Sequence, residues 1–194
     1  MRILSRRSQI GVVFVSALML AAWVAGCNVA TSVFAQSREA SEYQIKAAFL
    51  YNFAKFVEWP PENSVKAGDP MTICIVGEDP FGNILDEFTK AKTINGRPVL
   101  ITRLKPGQDL KGCQIAFISS TDRSQLKSIF QNAARAHVLT VGESQGFSAG
   151  GGVIDFIRED KMVHFEVNVD AAQRANLKIS SKLLGLAKIV KEQD

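Results

Sequence analysis

Residues 71–90 read MTICIVGEDPFGNILDEFTK. The apolar run Met71–Val76 has the length of a strand buried on both faces, and Gly77 closes it. Asp79-Pro80 then opens a helix from Phe81 to about Lys90, with the proline early in the first turn, where its missing N–H costs nothing. A strand, a tight turn and a helix make half of a βαβ unit, and the chain goes on alternating in the same way. Asn95-Gly96 is a turn before a second strand, Arg97–Leu104. Pro106-Gly107 breaks the chain before Cys113–Ile118, a third buried strand. Ser119–Asp122 offer caps for a helix through Ala134, and His137–Val141 is a fourth strand. The expectation is a single α/β domain whose largely parallel sheet carries helices on both faces.

Upstream, residues 46–61 read KAAFLYNFAKFVEWPP. Ser41 and Gln44 fit a capping box, and the helix they open must stop at Trp59-Pro60-Pro61. The turn-rich linker PPENSVKAGDP joins it to the first strand. At 100° per residue, Ile45, Phe49, Asn52, Phe53, Phe56 and Trp59 fall on one arc, which Leu50 and Val57 widen. That arc exceeds the stripe needed to cover one sheet. Either the helix lies in a deep groove of its own domain, or one flank packs inward and the other meets another chain. On the second reading Phe53, Phe56 and Trp59 form a self-association or receptor surface. Asn52, inside the arc, calls for buried polar partners.

Downstream the pattern changes. A Gly-rich loop, GESQGFSAGGG, leads into VIDFIR, the charged turn Glu159-Asp160, and KMVHFEV. Both runs alternate, so they form an antiparallel hairpin. Centring the turn between Glu159 and Asp160 sets Asp155 opposite His164. Ile154, Phe156, Val163, Phe165 and Val167 then share the core face, and Val153, Asp155, Ile157, Met162, His164 and Glu166 the other. Asp170 is read as a cap for a final helical region. Asn176 suits a left-handed position that ends its first part, and Ser180 caps a second helix over Ser181–Val190.

The chain has 194 residues and a formal charge of +4. Three arginines, Arg2, Arg6 and Arg7, stand in an acid-free N-terminus, and without them 20 basic residues face 19 acidic ones. A near-neutral chain with no basic run or basic-aromatic patch gives no support for nucleic-acid binding. The arginines precede an uncharged stretch, Ile10–Ala25, which is short for a membrane span and suits a signal-peptide core. Two processing sites compete. VAGC resembles a lipobox that would lipidate Cys27, making 1–26 the signal; VFAQ offers cleavage after Ala35, leaving 36–194 as the domain. Both take the protein out of the cytoplasm, and membrane contact is expected only if Cys27 is lipidated. Export leaves Cys74 and Cys113, which read as a disulfide in an oxidising compartment, with two buried thiols in neighbouring strands as the alternative.

Catalytic chemistry is hard to find. The two histidines are His137, at the start of a strand, and His164. The sequence holds no C-x-x-C, H-E-x-x-H or G-x-S-x-G. VGEDPFG lacks the lysine of a phosphate loop, and AGGG at 149–152 has no helix after it to cradle an anion. Asp155 and His164 make at most a titrating cross-strand pair. No enzyme, metal or cofactor is implied.

Three segments taken together resemble a known family: KAAFLYNFAKFVEWP, ICIVGEDPFG and VHFEVNVDAAQRANLKISSKLLGLAKIV. They are similar to the YfiR-like family of periplasmic proteins, in order and over nearly the whole exported chain. The resemblance implies a protein that binds the periplasmic sensory domain of an inner-membrane receptor. That receptor is a diguanylate cyclase, whose repression lowers cyclic-di-GMP and biofilm formation, or else a sensor kinase. It also implies the Cys74–Cys113 disulfide and strengthens Glu166, in the FEVN run, as a contact residue beside Met162 and His164. A second cysteine pair that members of that family can carry around the Gly-rich loop is absent, which leaves that loop looser or held by backbone packing. Self-association into a homodimer is a further expectation. The alternative is a periplasmic small-molecule binding protein with a pocket near the Gly-rich loop.

Overall fold

The computed structural model describes residues 39–63, 68–119 and 123–191, and Glu42–Asp194 form one compact unit. The signal segment, Cys27 and the proposed caps at 120–122 lie outside the described residues. Helix α1 spans 39–56, so Ser41 sits inside it rather than capping it. After α1 come β1 (Val57–Glu58), β2 (Met71–Val76), α2 (Ile84–Thr89), β3 (Thr93–Ile94), β4 (Arg97–Leu104) and β5 (Ile115–Ile118). Next are α3 (Arg123–Arg135), β6 (Leu139–Gly142), β7 (Ile154–Glu159) and β8 (Met162–Asn168). The chain ends in α4 (Val169–Arg174), β9 (Lys178–Ile179), α5 (Ser181–Leu184) and β10 (Lys188–Val190).

Eight strands form one sheet in the order β10-β8-β7-β6-β5-β2-β4-β3, and β1 pairs β9 in a separate antiparallel ribbon. From β4 through β7 all neighbours run parallel, and β7–β8 and β3–β4 are antiparallel. The largely parallel sheet expected from the alternation is therefore present. Its strands are buried on both faces because alternate residues enter two different cores. Ile73, Ile75, Phe117, Val141, Ile154 and Phe165 pack with α1 and α2 on one side. Cys74, Val76, Ala116, Ile118 and Phe147 pack with α3 on the other.

The Gly-rich segment replaces a helix as the crossover between parallel β6 and β7. Its plug is Phe147, fully buried and edge-on to Phe130 at 4.9 Å between ring centroids. Gly142 and Gly152 flank that ring so closely that a Cβ on either would lie inside it. The glycines are thus required by close approach, and packing around Phe147 holds the loop.

Three local readings are corrected. The N-cap of α4 is Asn168, whose side chain accepts from Ala171 N, not Asp170. Ser180 does cap α5, but that helix ends at Gly185, and the chain extends as β10 beside β8 instead of remaining helical to Val190. The hairpin turn is Asp160-Lys161, both with positive φ, so Asp155 faces Glu166 and His164 faces Ile157. Within β7 and β8 the division of side chains between the two hairpin faces is unchanged, because the register moved by a whole residue pair. Val153, just before β7, is buried in the core and not on the outer face.

Candidate functional site

The aromatic helix buries a narrower stripe than its arc suggested. Ala47, Leu50, Phe53, Ala54 and Val57 face the sheet, a 3–4 residue spacing that leaves the opposite flank outside. Phe53 is 0% exposed, stacked on Phe156 and edge-on to Phe165, so it is core and not a partner surface. Asn52 is exposed to solvent and needs no buried partner. Phe56, at 37% exposure, and Ile45 remain as uncovered apolar groups on the outer flank.

Charge places the other end of α1. Lys46 is buried and paired with Glu42 at 2.7 Å and with Glu143, which also accepts from the Tyr43 hydroxyl at 3.0 Å. Arg158 on β7 closes the group on Glu42 at 2.7 Å. A buried ammonium needs such company, since leaving it unpaired would cost several kcal/mol in order of magnitude. A cavity of about 670 Å³ opens here, at the C-terminal ends of β2, β5 and β6.

At its C-terminal end α1 is tied to the disulfide. Trp59 is half-buried, and its Nε1 donates to the Gln114 carbonyl at 3.1 Å. Asn63 Nδ2 donates to the carbonyls of Cys113 and His137, while Gln114 bridges Asn63 and Thr72. Cys74 and Cys113 form the disulfide, buried in the core under α3. His137 adopts a left-handed turn before β6, and its Nδ1 meets the Ala175 carbonyl at 3.0 Å, a structural role.

The outer face of the hairpin is the second cluster. Met162 is 58% exposed at its end, and His164 is half-buried. Glu166 is only 16% exposed at its side chain: Ser148 Oγ donates to it at 3.0 Å and Lys188 pairs with it at 2.9 Å. Asp155, opposite, is 3% exposed, and its Oδ1 has no hydrogen-bond partner. Burial raises the Asp155 pKa to about 7, and the Glu166 and Glu143 charges add to the rise. The backbone of Ser148 and Phe147 opposes the rise by favouring the ionised carboxylate. Leu186, in the turn after α5, and Ile189, on β10, both expected to be helical, are exposed. Their signal in the sequence was Gly185 followed by β-branched Ile189-Val190.

A second cavity, about 1220 Å³, lies between α3, the Gly-rich loop and α4. Among its basic residues, Arg135 and Arg174 stand in the last turns of α3 and α4, where cations complement the helix dipole. Among the described residues no group of three or more His, Cys, Asp or Glu could hold a metal ion, and no helix is long and apolar enough to cross a membrane.

A family model described as YfiR/HmsC-like matches residues 43–188, from the first turns of α1 into β10. The chain belongs to that family, one of periplasmic regulatory proteins linked to diguanylate cyclase control. Among solved structures it is similar to a conserved domain protein from Vibrio cholerae, at 13% identity and a TM-score of 0.43. That match covers 63% of this chain and 55% of the other.

Proposed function

We propose that this protein binds the periplasmic sensory domain of an inner-membrane signalling enzyme and represses a diguanylate cyclase, lowering cyclic-di-GMP. The observation that carries the reading is the family match over 43–188, which takes in nine of the ten strands in full. The exposed apolar groups supply a physical means. Phe56 on α1 and Met162, Leu186 and Ile189 around the hairpin edge are uncovered side chains of the size that anchors interfaces. Met162 and His164 are the direct contacts on the hairpin face. Glu166 acts from beneath, since it is already engaged by Ser148 and Lys188.

The test is Met162→Glu. Its melting temperature should match the parent's, because the side chain packs little. Affinity for the receptor's periplasmic domain should fall about tenfold or more, as for a buried interface anchor, and cellular cyclic-di-GMP should rise. A folded variant with unchanged binding and unchanged cyclic-di-GMP removes the hairpin face from the contact.

The second reading, a small-molecule binder, rests on the 1220 Å³ cavity beside the Gly-rich loop. A single compound from a metabolite panel that raises the melting temperature of the isolated protein in a saturable way would favour it over the receptor reading.

A further inference from the structure

Three side chains of the hairpin converge on one residue of the Gly-rich loop. Glu166 accepts from Ser148 Oγ at 3.0 Å, and Asn168 Nδ2 donates to the Ser148 carbonyl at 2.7 Å. Asp155 lies beneath the same stretch, close enough for the Phe147 and Ser148 backbone to act on its carboxyl. Two of the three are carboxylates, and β7–β8 pairing sets them directly opposite each other. Directly opposed like charges destabilise a sheet, more so when one is buried. The charged groups acting on Asp155 are Glu166 from β8 and Glu143 at the end of β6, both of its own sign. Lys188 of β10 reaches Glu166, not Asp155, and is itself mostly exposed; His164 stands one pair further along β8, opposite Ile157.

We infer that the Gly-rich loop, residues 143–152, is a pH-operated cover over the outer face of the β7–β8 hairpin, held shut while Asp155 carries a proton and loosened once it ionises. A neutral Asp155 removes the clash with Glu166 and keeps Ser148 seated. An ionised Asp155 is stranded under the loop with Oδ1 unpaired, and opening lets water solvate it. The balance is adjustable because the same loop backbone favours the ionised form while burial and Glu166 disfavour it. Opening would uncover Glu166 on the face assigned above to receptor contact. That last link rests on the proposed function, whereas the cover itself does not.

The sign follows from linkage. Closed, Asp155 titrates near 7; exposed in the open loop it returns toward an ordinary carboxylate near 3.8. The closed form therefore binds the extra proton between these values and loses ground as pH rises across them. Hydrogen exchange of the 147–152 amides in the isolated protein, corrected for intrinsic rates, reads this directly. Protection should fall about tenfold per pH unit between roughly 5 and 6.5 and level off above about 7. Asp155→Asn should keep protection flat across that range. The carbon resonance of the Asp155 carboxyl in the parent protein should titrate near neutrality, a readout that needs no variant. A carboxyl midpoint below about 5, or an Asp155→Asn profile that falls like the parent's, overturns the proposal. Receptor binding that ignores pH while the loop responds would sink only the link to the receptor.

Discussion

Removing the disulfide by Cys74→Ala with Cys113→Ala should lower the unfolding free energy of the oxidised protein by about 4 kcal/mol, as measured by urea denaturation. The magnitude comes from the loop it closes: the cysteines are 39 residues apart, and a chain-entropy estimate for such a loop is about 4 kcal/mol. Alanine avoids burying a hydroxyl at two sites that are almost fully enclosed in the core under α3. The effect should also reach the aromatic helix. Cys113 presents its carbonyl to Asn63, and the neighbouring Gln114 carbonyl receives Trp59. Trp59 is the only tryptophan among the described residues, so its fluorescence in signal-free protein should shift on reduction before global unfolding. A difference under about 1 kcal/mol would mean that the bridge constrains neither state much.

What could be read from the sequence follows from how local each determinant is. The parallel sheet was legible because MTICIV and CQIAFI are apolar on both faces and are bounded by glycines and prolines. The two hairpin faces were legible from alternation alone. The hairpin register was not, because Glu159-Asp160 and Asp160-Lys161 are both pairs of charged residues, and only positive φ at both turn positions identifies the second. Moving the register by one pair exchanged His164 for Glu166 opposite Asp155. That exchange turned an expected charge pair into a carboxylate pair, and the pH-sensitive cluster was invisible without it.

The end of the chain failed for a different reason. Leu183, Leu184, Ala187 and Val190 recur at helical spacing, yet β10 forms because the outer edge of β8 offers backbone partners at Glu166, Val167 and Asn168. A vacant sheet edge is a tertiary fact that no window of sequence contains. The helix arc was overestimated in the same manner. Phe53 and Phe56 differ by three positions and looked equivalent, but the sheet reaches only far enough round α1 to enclose the first.

Phe147→Ala should be the most damaging single substitution in the Gly-rich loop, costing about 3–5 kcal/mol, the range for truncating a buried phenylalanine. The ring is fully enclosed, meets Phe130 edge-on, and fills the space that Gly142 and Gly152 leave by having no Cβ. Two glycines on either side cannot collapse inward to replace it, so the cavity should persist and the cost should lie toward the upper end. Its consequences should also be local. With the plug gone, Ser148 keeps its bonds to Glu166 and Asn168, but the loop loses the apolar contact that holds the crossover against the sheet. Limited proteolysis of folded protein should then cut first within 143–152. Phe56→Ala on the outer flank of α1 serves as the control, with a loss of about 1 kcal/mol or less, because much of that side chain is already in water. Equal costs at the two positions would show that the loop, not the ring, carries its own anchoring. The hydrogen bonds at Ser148, and not the packing of Phe147, would then hold it in place.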